Sequence, residues 1–124
     1  ADTSPVAIAA GEHLQGQDRF IALMADRLVS TIQPDLAMAG GLTPCLSVTR
    51  SAGAYGLVVA PHFLPGLFVH FAGVATAGLW IEDFPLLEEA FEGWPEMAAE
   101  GVMAARDVPG HGLALTLAAR KARV

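Results

Sequence analysis

Only one of the 124 residues is a cysteine and only 16% are charged. The lone Cys45 excludes an intrachain disulfide and a cysteine-rich zinc site, and it fits a reducing, cytoplasmic setting. Cations are the scarcer charge, with 7 Lys and Arg against 13 Asp and Glu and a formal net charge of −6. A phosphate-backbone binder needs a clustered excess of Lys and Arg, so nucleic acid is not an expected partner. The charged fraction is also well below the roughly 25% of an ordinary soluble domain. With 53% hydrophobic residues the chain can bury ample apolar surface, which excludes disorder. So few charges cannot coat a self-sufficient sphere, and part of the surface is expected to meet another polypeptide.

Charge disappears altogether over residues 51–81, yet no membrane span is expected there. A spanning helix needs roughly 20 uninterrupted apolar residues, and Pro61, His62, Pro65 and His70 cut this stretch into shorter pieces. The opening Ala1-Asp2-Thr3-Ser4-Pro5 lacks both an initiator Met and a basic segment leading into an apolar core. It reads as a start inside something longer. The length suits one domain.

What is present is a repeated grammar: a short apolar, β-rich run ends at Pro or Gly beside a polar residue, then a segment with helical spacing follows. Val6-Ala7-Ile8-Ala9-Ala10 ends at Gly11-Glu12, and a helix with Phe20, Leu23, Met24 and Leu28 at core spacing follows. A second strand over 30–33 ends at Pro34-Asp35, after which Gly40-Gly41-Leu42-Thr43-Pro44 predicts a helix capped by Thr43 with Pro44 in its first position. Leu57-Val58-Val59-Ala60 is apolar throughout, like a parallel strand covered on both faces, and ends at Pro61-His62. A helix over 65–77 and a fourth strand, Leu79-Trp80-Ile81, ending at Glu82, complete the series. The predicted class is α/β with a parallel sheet.

Beyond Glu82 the grammar changes, since seven of the 13 acids lie within residues 82–100. Residues 107–112 are turn-rich, Leu113-Ala114-Leu115 suits a short edge strand, and Arg120, Lys121 and Arg123 make a basic end. This region is expected to be an extension of the repeated unit, with its charges on a solvated surface.

Glu12, Asp35, His62 and Glu82 each follow an apolar strand, about one βα unit apart. Strands that all point one way bring their C-terminal ends to a common mouth, where active sites are built. Singly, each has a plain explanation as a helix cap, a turn residue or a satisfied histidine. Four at equivalent places form a complementary set: an oxygen ligand for a divalent cation, a carboxylate to orient an imidazole, a base near neutral pH and a second acid. His13, His62, His70 and His111 show no zinc-binding spacing. His70 is expected to be a core or interface histidine, and both tryptophans, Trp80 and Trp94, packing residues.

These motifs resemble the mandelate racemase and muconate lactonizing enzyme group of the enolase superfamily. The resemblance runs from Ala10-Gly11-Glu12 through Gln33-Pro34-Asp35-Leu36, Gly40-Gly41-Leu42-Thr43, Ala60-Pro61-His62 and Glu82 to Pro109-Gly110-His111-Gly112. It implies the subgroup with a His-Asp dyad, and the second half, strands five to eight, of a (β/α)8 barrel. Residues 1–82 would form that half and 83–124 a C-terminal extension packed on the barrel or on an N-terminal cap domain.

By the same resemblance Glu12 would be one carboxylate ligand of Mg²⁺, Asp35 the dyad acid and His62 the base. Glu82 would be the acid that hydrogen-bonds the developing enolate. The implied reaction is removal of the α-proton of a sugar acid or α-hydroxy acid, ending in dehydration or racemisation. His13 departs from the family, which commonly has Asn there. A full barrel takes roughly 250 residues, so the other metal carboxylates and a lysine base would lie in an N-terminal half. That half, or copies of this chain in a homo-oligomer, is the expected protein partner. The rival expectation is a non-catalytic half-barrel that acts only in assembly.

Overall fold

The computed structural model describes residues 4–122. Three short parallel strands, β1 (Ala9–Ala10), β2 (Thr31–Ile32) and β3 (Val58–Val59), lie side by side in chain order, with Ala10 opposite Ile32 and Ile32 opposite Val59. The fourth expected strand is reduced to a bridge between Val59 and Leu79. The Trp80 N–H donates to the Val59 carbonyl at 2.9 Å, so the segment still holds its place beside β3.

Helix α1 (Gln17–Ala25) connects β1 to β2 and buries Phe20 and Met24, four residues apart on one face. Leu28 does not join them. The helix ends at Ala25, Arg27 turns the chain at φ 52°, and Val29 is buried in place of Leu28, which is 55% exposed. Between β2 and β3 lie α2 (Leu36–Ala39), which the sequence did not predict, and α3 (Leu42–Ala54). Gly40 ends α2 in the left-handed region at φ 97° and Gly41 caps α3 at φ 111°, so the pair is the joint between two helices. Thr43 is therefore inside α3 rather than its cap. Pro44 falls in the first turn, where an amide has no intrahelical partner to lose.

Cys45, Val48, Thr49 and Ala52 form the buried face of α3, and Cys45, Val48 and Ala52 join Ile32, Val59, Phe20 and Met24 in one core. The expected long helix over 65–77 is only α4 (Pro65–Phe68) followed by a 3₁₀ turn, Val69–Phe71, which still buries Phe68 and Phe71. His70, expected in the core or at an interface, is not in the core: it is exposed, with its Nε2 3.2 Å from the His111 carbonyl. Trp80 is 72% exposed rather than packed.

After a 3₁₀ segment, Pro85–Ala90, β4 (Phe91–Glu92) pairs antiparallel with β5 (Ala114–Leu115), and α5 (Leu117–Lys121) ends the described chain. This region rests on α4. A Cβ added to Gly66 would stand 3.2 Å from both Leu113 and Trp94, so any larger residue there would push the tail back by a few tenths of an ångström.

Candidate active site

The parallel pairing of β2 and β3 continues beyond their ends, where Asp35 and His62 form a bridge and the His62 amide donates to the Pro34 carbonyl at 3.0 Å. Residues paired in a parallel ladder point to the same side. The Asp35 carboxylate and His62 imidazole therefore meet, with Oδ2 2.9 Å from Nδ1. The other oxygen, Oδ1, accepts the Met38 amide at 2.8 Å and caps α2. Asp35 is 7% exposed, and both its oxygens are engaged.

The far side of the imidazole faces β1. Glu12 Oε2 is 3.9 Å from His62 Nε2, and Glu12 Oε1 is 3.3 Å from His13 Nδ1. Glu82 reaches the same mouth by another route, its Oε2 accepting the Phe63 amide at 2.7 Å. All four strand-end residues thus gather at one end of the sheet.

Two neighbours were not read from the sequence. The Phe63 ring stacks on His62 with centroids 6.1 Å apart and meets Phe84 edge-on at 4.6 Å. Phe63 and Leu64 also occupy the left-handed region in succession, at φ 62° and 49°. Nothing in an apolar Phe-Leu pair announces such a backbone; glycine is the usual signal for it.

The electrostatics favour a charged pair. The hydrogen bond to Asp35 holds the His62 pKa above its usual 6.5 against the opposing effect of burial, with help from the charges of Glu12 and Glu82. Burial works to raise the Asp35 carboxyl, but the Met38 amide and His62 outweigh it and hold that pKa below 3.8. Burial pushes Cys45 up to about 11, which leaves it an inert thiol.

Glu12 is a half-exposed carboxylate, of the kind a hard divalent cation takes. No group of three or more His, Cys, Asp or Glu able to hold a metal occurs among the described residues. The Glu12 carboxylate is the kind of oxygen donor Mg²⁺ takes, and one carboxylate alone does not complete the shell of such an ion. No helix among the described residues is long and apolar enough to cross a membrane.

A parallel βα repeat with a His-Asp pair and two acids at its strand ends places the chain in the α/β class. More narrowly, the chain belongs to the Enolase C-terminal domain-like family, which matches residues 1–119. This is the family that the motifs resembled. The chain is 30% identical over 114 residues to an L-talarate/galactarate dehydratase of Salmonella typhimurium, covering 92% of this chain and 28% of that one. It is 44% identical over 55 residues to a D-galactonate dehydratase of Pectobacterium atrosepticum, covering 44% of this chain and 14% of the relative. It superposes on an L-talarate dehydratase of Polaromonas sp. JS666, solved with Mg and L-glucarate, at a TM-score of 0.88 and 33% identity, covering 96% of this chain and 33% of that one. The chain thus spans a third or less of the length of each of these proteins.

Proposed function

We propose that this chain is the second half of a (β/α)8 barrel whose intact form is a Mg²⁺-dependent enzyme. It would remove the α-proton of a carboxylate substrate as a sugar-acid dehydratase or an α-hydroxy-acid racemase. The observation that carries the reading is the 2.9 Å contact between Asp35 Oδ2 and His62 Nδ1, which leaves Nε2, 3.9 Å from Glu12, as the nitrogen that would act as base. The names of the two dehydratase relatives favour sugar acids.

An α-proton beside a carboxylate is very weakly acidic, and Mg²⁺ would supply the positive charge that offsets the dianion left when the proton goes. Glu12 would be one of its ligands. With Nδ1–H directed at Asp35, the Nε2 lone pair of His62 takes the proton and the imidazole becomes a cation beside a buried carboxylate. In dehydration the same imidazolium returns that proton to the departing β-hydroxyl, which leaves as water. In racemisation a second base serves the other face of the α-carbon. Glu82 has Oε2 engaged by the Phe63 amide, so its other oxygen, Oε1, is the one free to carry a proton toward the developing enolate.

Residues 1–82 would supply strands five to eight, and 83–124 a C-terminal extension; the close fit of Gly66 against Trp94 and Leu113 supports its docking on the barrel. The partners would be an N-terminal half bearing the remaining metal ligands and further copies in a homo-oligomer, in the cytoplasm. The test is exchange of the substrate α-proton in D₂O, with galactarate and D-galactonate as probes, on the full-length protein with and without Mg²⁺. Mg²⁺-dependent exchange that is lost on one face in His62→Asn is the expected result. Full exchange in that variant assigns the chemistry elsewhere, and a parent protein that exchanges neither probe favours the assembly-only role.

A further inference from the structure

Phe63 and Leu64 present a problem of backbone energetics directly beside the His-Asp pair. Two successive non-glycine residues in the left-handed region are strained, and such a conformation persists only where the surroundings hold it. Three holds are visible. The Phe63 amide donates to Glu82 Oε2 at 2.7 Å, a short charge-assisted bond across 19 residues of sequence. The Phe63 ring lies between His62 and Phe84. After Leu64 the chain enters α4 at Pro65, whose ring fixes φ at a helical value.

We propose that Glu82 and Phe63 act together as a clamp that positions the imidazole of His62. The carboxylate fixes the Phe63 amide, the fixed amide holds the left-handed turn, and the turn sets the Phe63 ring against the imidazole. Asp35 determines which nitrogen of His62 is free; the clamp determines the plane in which that nitrogen is presented. Glu82 thereby has a structural duty on Oε2 that is separate from any part Oε1 takes in chemistry, and Phe63 is a positioning residue. The inference concerns the site described above, but it rests on backbone geometry and its test needs no turnover.

The measurement is hydrogen-deuterium exchange of the Phe63 amide in the full-length protein, with the ¹⁵N signals of the His62 imidazole as a second readout. Glu82→Ala removes the acceptor and should speed exchange of that amide by about tenfold or more and shift the His62 signals. Glu82→Gln keeps an acceptor oxygen and should preserve the protection of the amide. Because every Glu82 variant also removes a charge that raises the His62 pKa, the ¹⁵N signals are compared at a pH where the imidazole is neutral, and there they too should match the parent in Glu82→Gln. Phe63→Gly on the Glu82→Ala background relieves the strain at position 63 but removes the ring, so the His62 signals should stay displaced. A Phe63 amide as protected in Glu82→Ala as in the parent overturns the clamp, as does recovery of the His62 signals with glycine at 63. Should Glu82→Ala not fold, the parent decides: an amide exchanging at the rate of an unstructured chain is not clamped. Loss of α-proton exchange with an intact clamp would count against the proposed chemistry alone.

Discussion

Replacing Asp35 by Asn tests the dyad with little change of shape. Asn is as good a helix cap as Asp, so its oxygen can still accept the Met38 amide and α2 should survive. Its NH₂ group then faces His62 Nδ1, which must become the acceptor. The proton moves to Nε2, the nitrogen that has to be empty to act as base. Flipping the amide restores the tautomer but sets a donor against the Met38 N–H. Either arrangement also loses the hydrogen bond between a carboxylate and the imidazolium formed after proton transfer. Such a bond is worth roughly 1.5–3 kcal/mol, and at about 1.36 kcal/mol per factor of ten this slows α-proton exchange by about 10- to 150-fold.

The His62 side chain is 38% exposed, so solvent screening favours the lower part of that range. The pH profile gives a second readout. His62 acts as a base only when neutral, so the rate should rise with pH through a midpoint above 6.5 in the parent. Without the Asp35 hydrogen bond, the largest cause of that elevation, the midpoint should move toward lower pH. The assay is α-proton exchange in D₂O from pH 5 to 9 on the full-length protein. An unmoved midpoint, or a loss as complete as that of His62→Asn, would refute the assigned role.

Glu12→Gln should retain the fold, because the side chain is half exposed, yet weaken Mg²⁺ binding by more than about tenfold in titration calorimetry, since a neutral amide brings no charge to a hard cation. Gly93→Ala should loosen the tail: the residue sits at φ 81° and an added Cβ would meet the Gly112 carbonyl, so a cost of about 1–3 kcal/mol and faster proteolysis between residues 91 and 115 are expected. The Asp35–His62 pair should also leave a mark on stability against pH. The raised His62 pKa gives a contribution complete below 6.5 and lost as pH climbs through the folded value. The lowered Asp35 pKa gives one present above 3.8 and lost as pH falls through its folded value. Thermal melts should therefore place this contribution at its maximum between about 3.8 and 6.5, and Asp35→Asn should flatten the decline on the alkaline side.

The strand ends were legible in the sequence because each apolar run stops at Pro or Gly beside a polar residue, and a parallel ladder carries that spacing directly into space. Asp35 and His62 meet for that reason. The parts that were not legible depend on contacts beyond the local pattern. The carboxylate of Asp35 nucleates α2, a four-residue helix too short to show a period. The predicted helix over 65–77 dissolves into turns after Phe71, where Gly73 and Gly78 flank β-branched Val74 and Thr76. Leu28 and Trp80 fitted a core pattern and lie outside, because a period identifies a face but not what covers it.

The charges at the strand ends bear on what the site can receive. Glu12, Asp35 and Glu82 surround a single histidine, and a carboxylate substrate would add another negative charge. Asp35 is balanced from within, by His62 on one oxygen and a helix-capping amide on the other. Glu82 spends one oxygen on the Phe63 amide. Among the described residues Glu12 has no comparable amide contact: two imidazoles lie 3.3 and 3.9 Å from it, and these carry charge only when protonated. Negative charge at this mouth is therefore least compensated at Glu12, on the Nε2 side of His62, where an anionic substrate would have to lie. A divalent cation held there would remove the repulsion and favour a substrate carboxylate near the base, which is the reason the proposed function assigns the metal to the Glu12 side of His62.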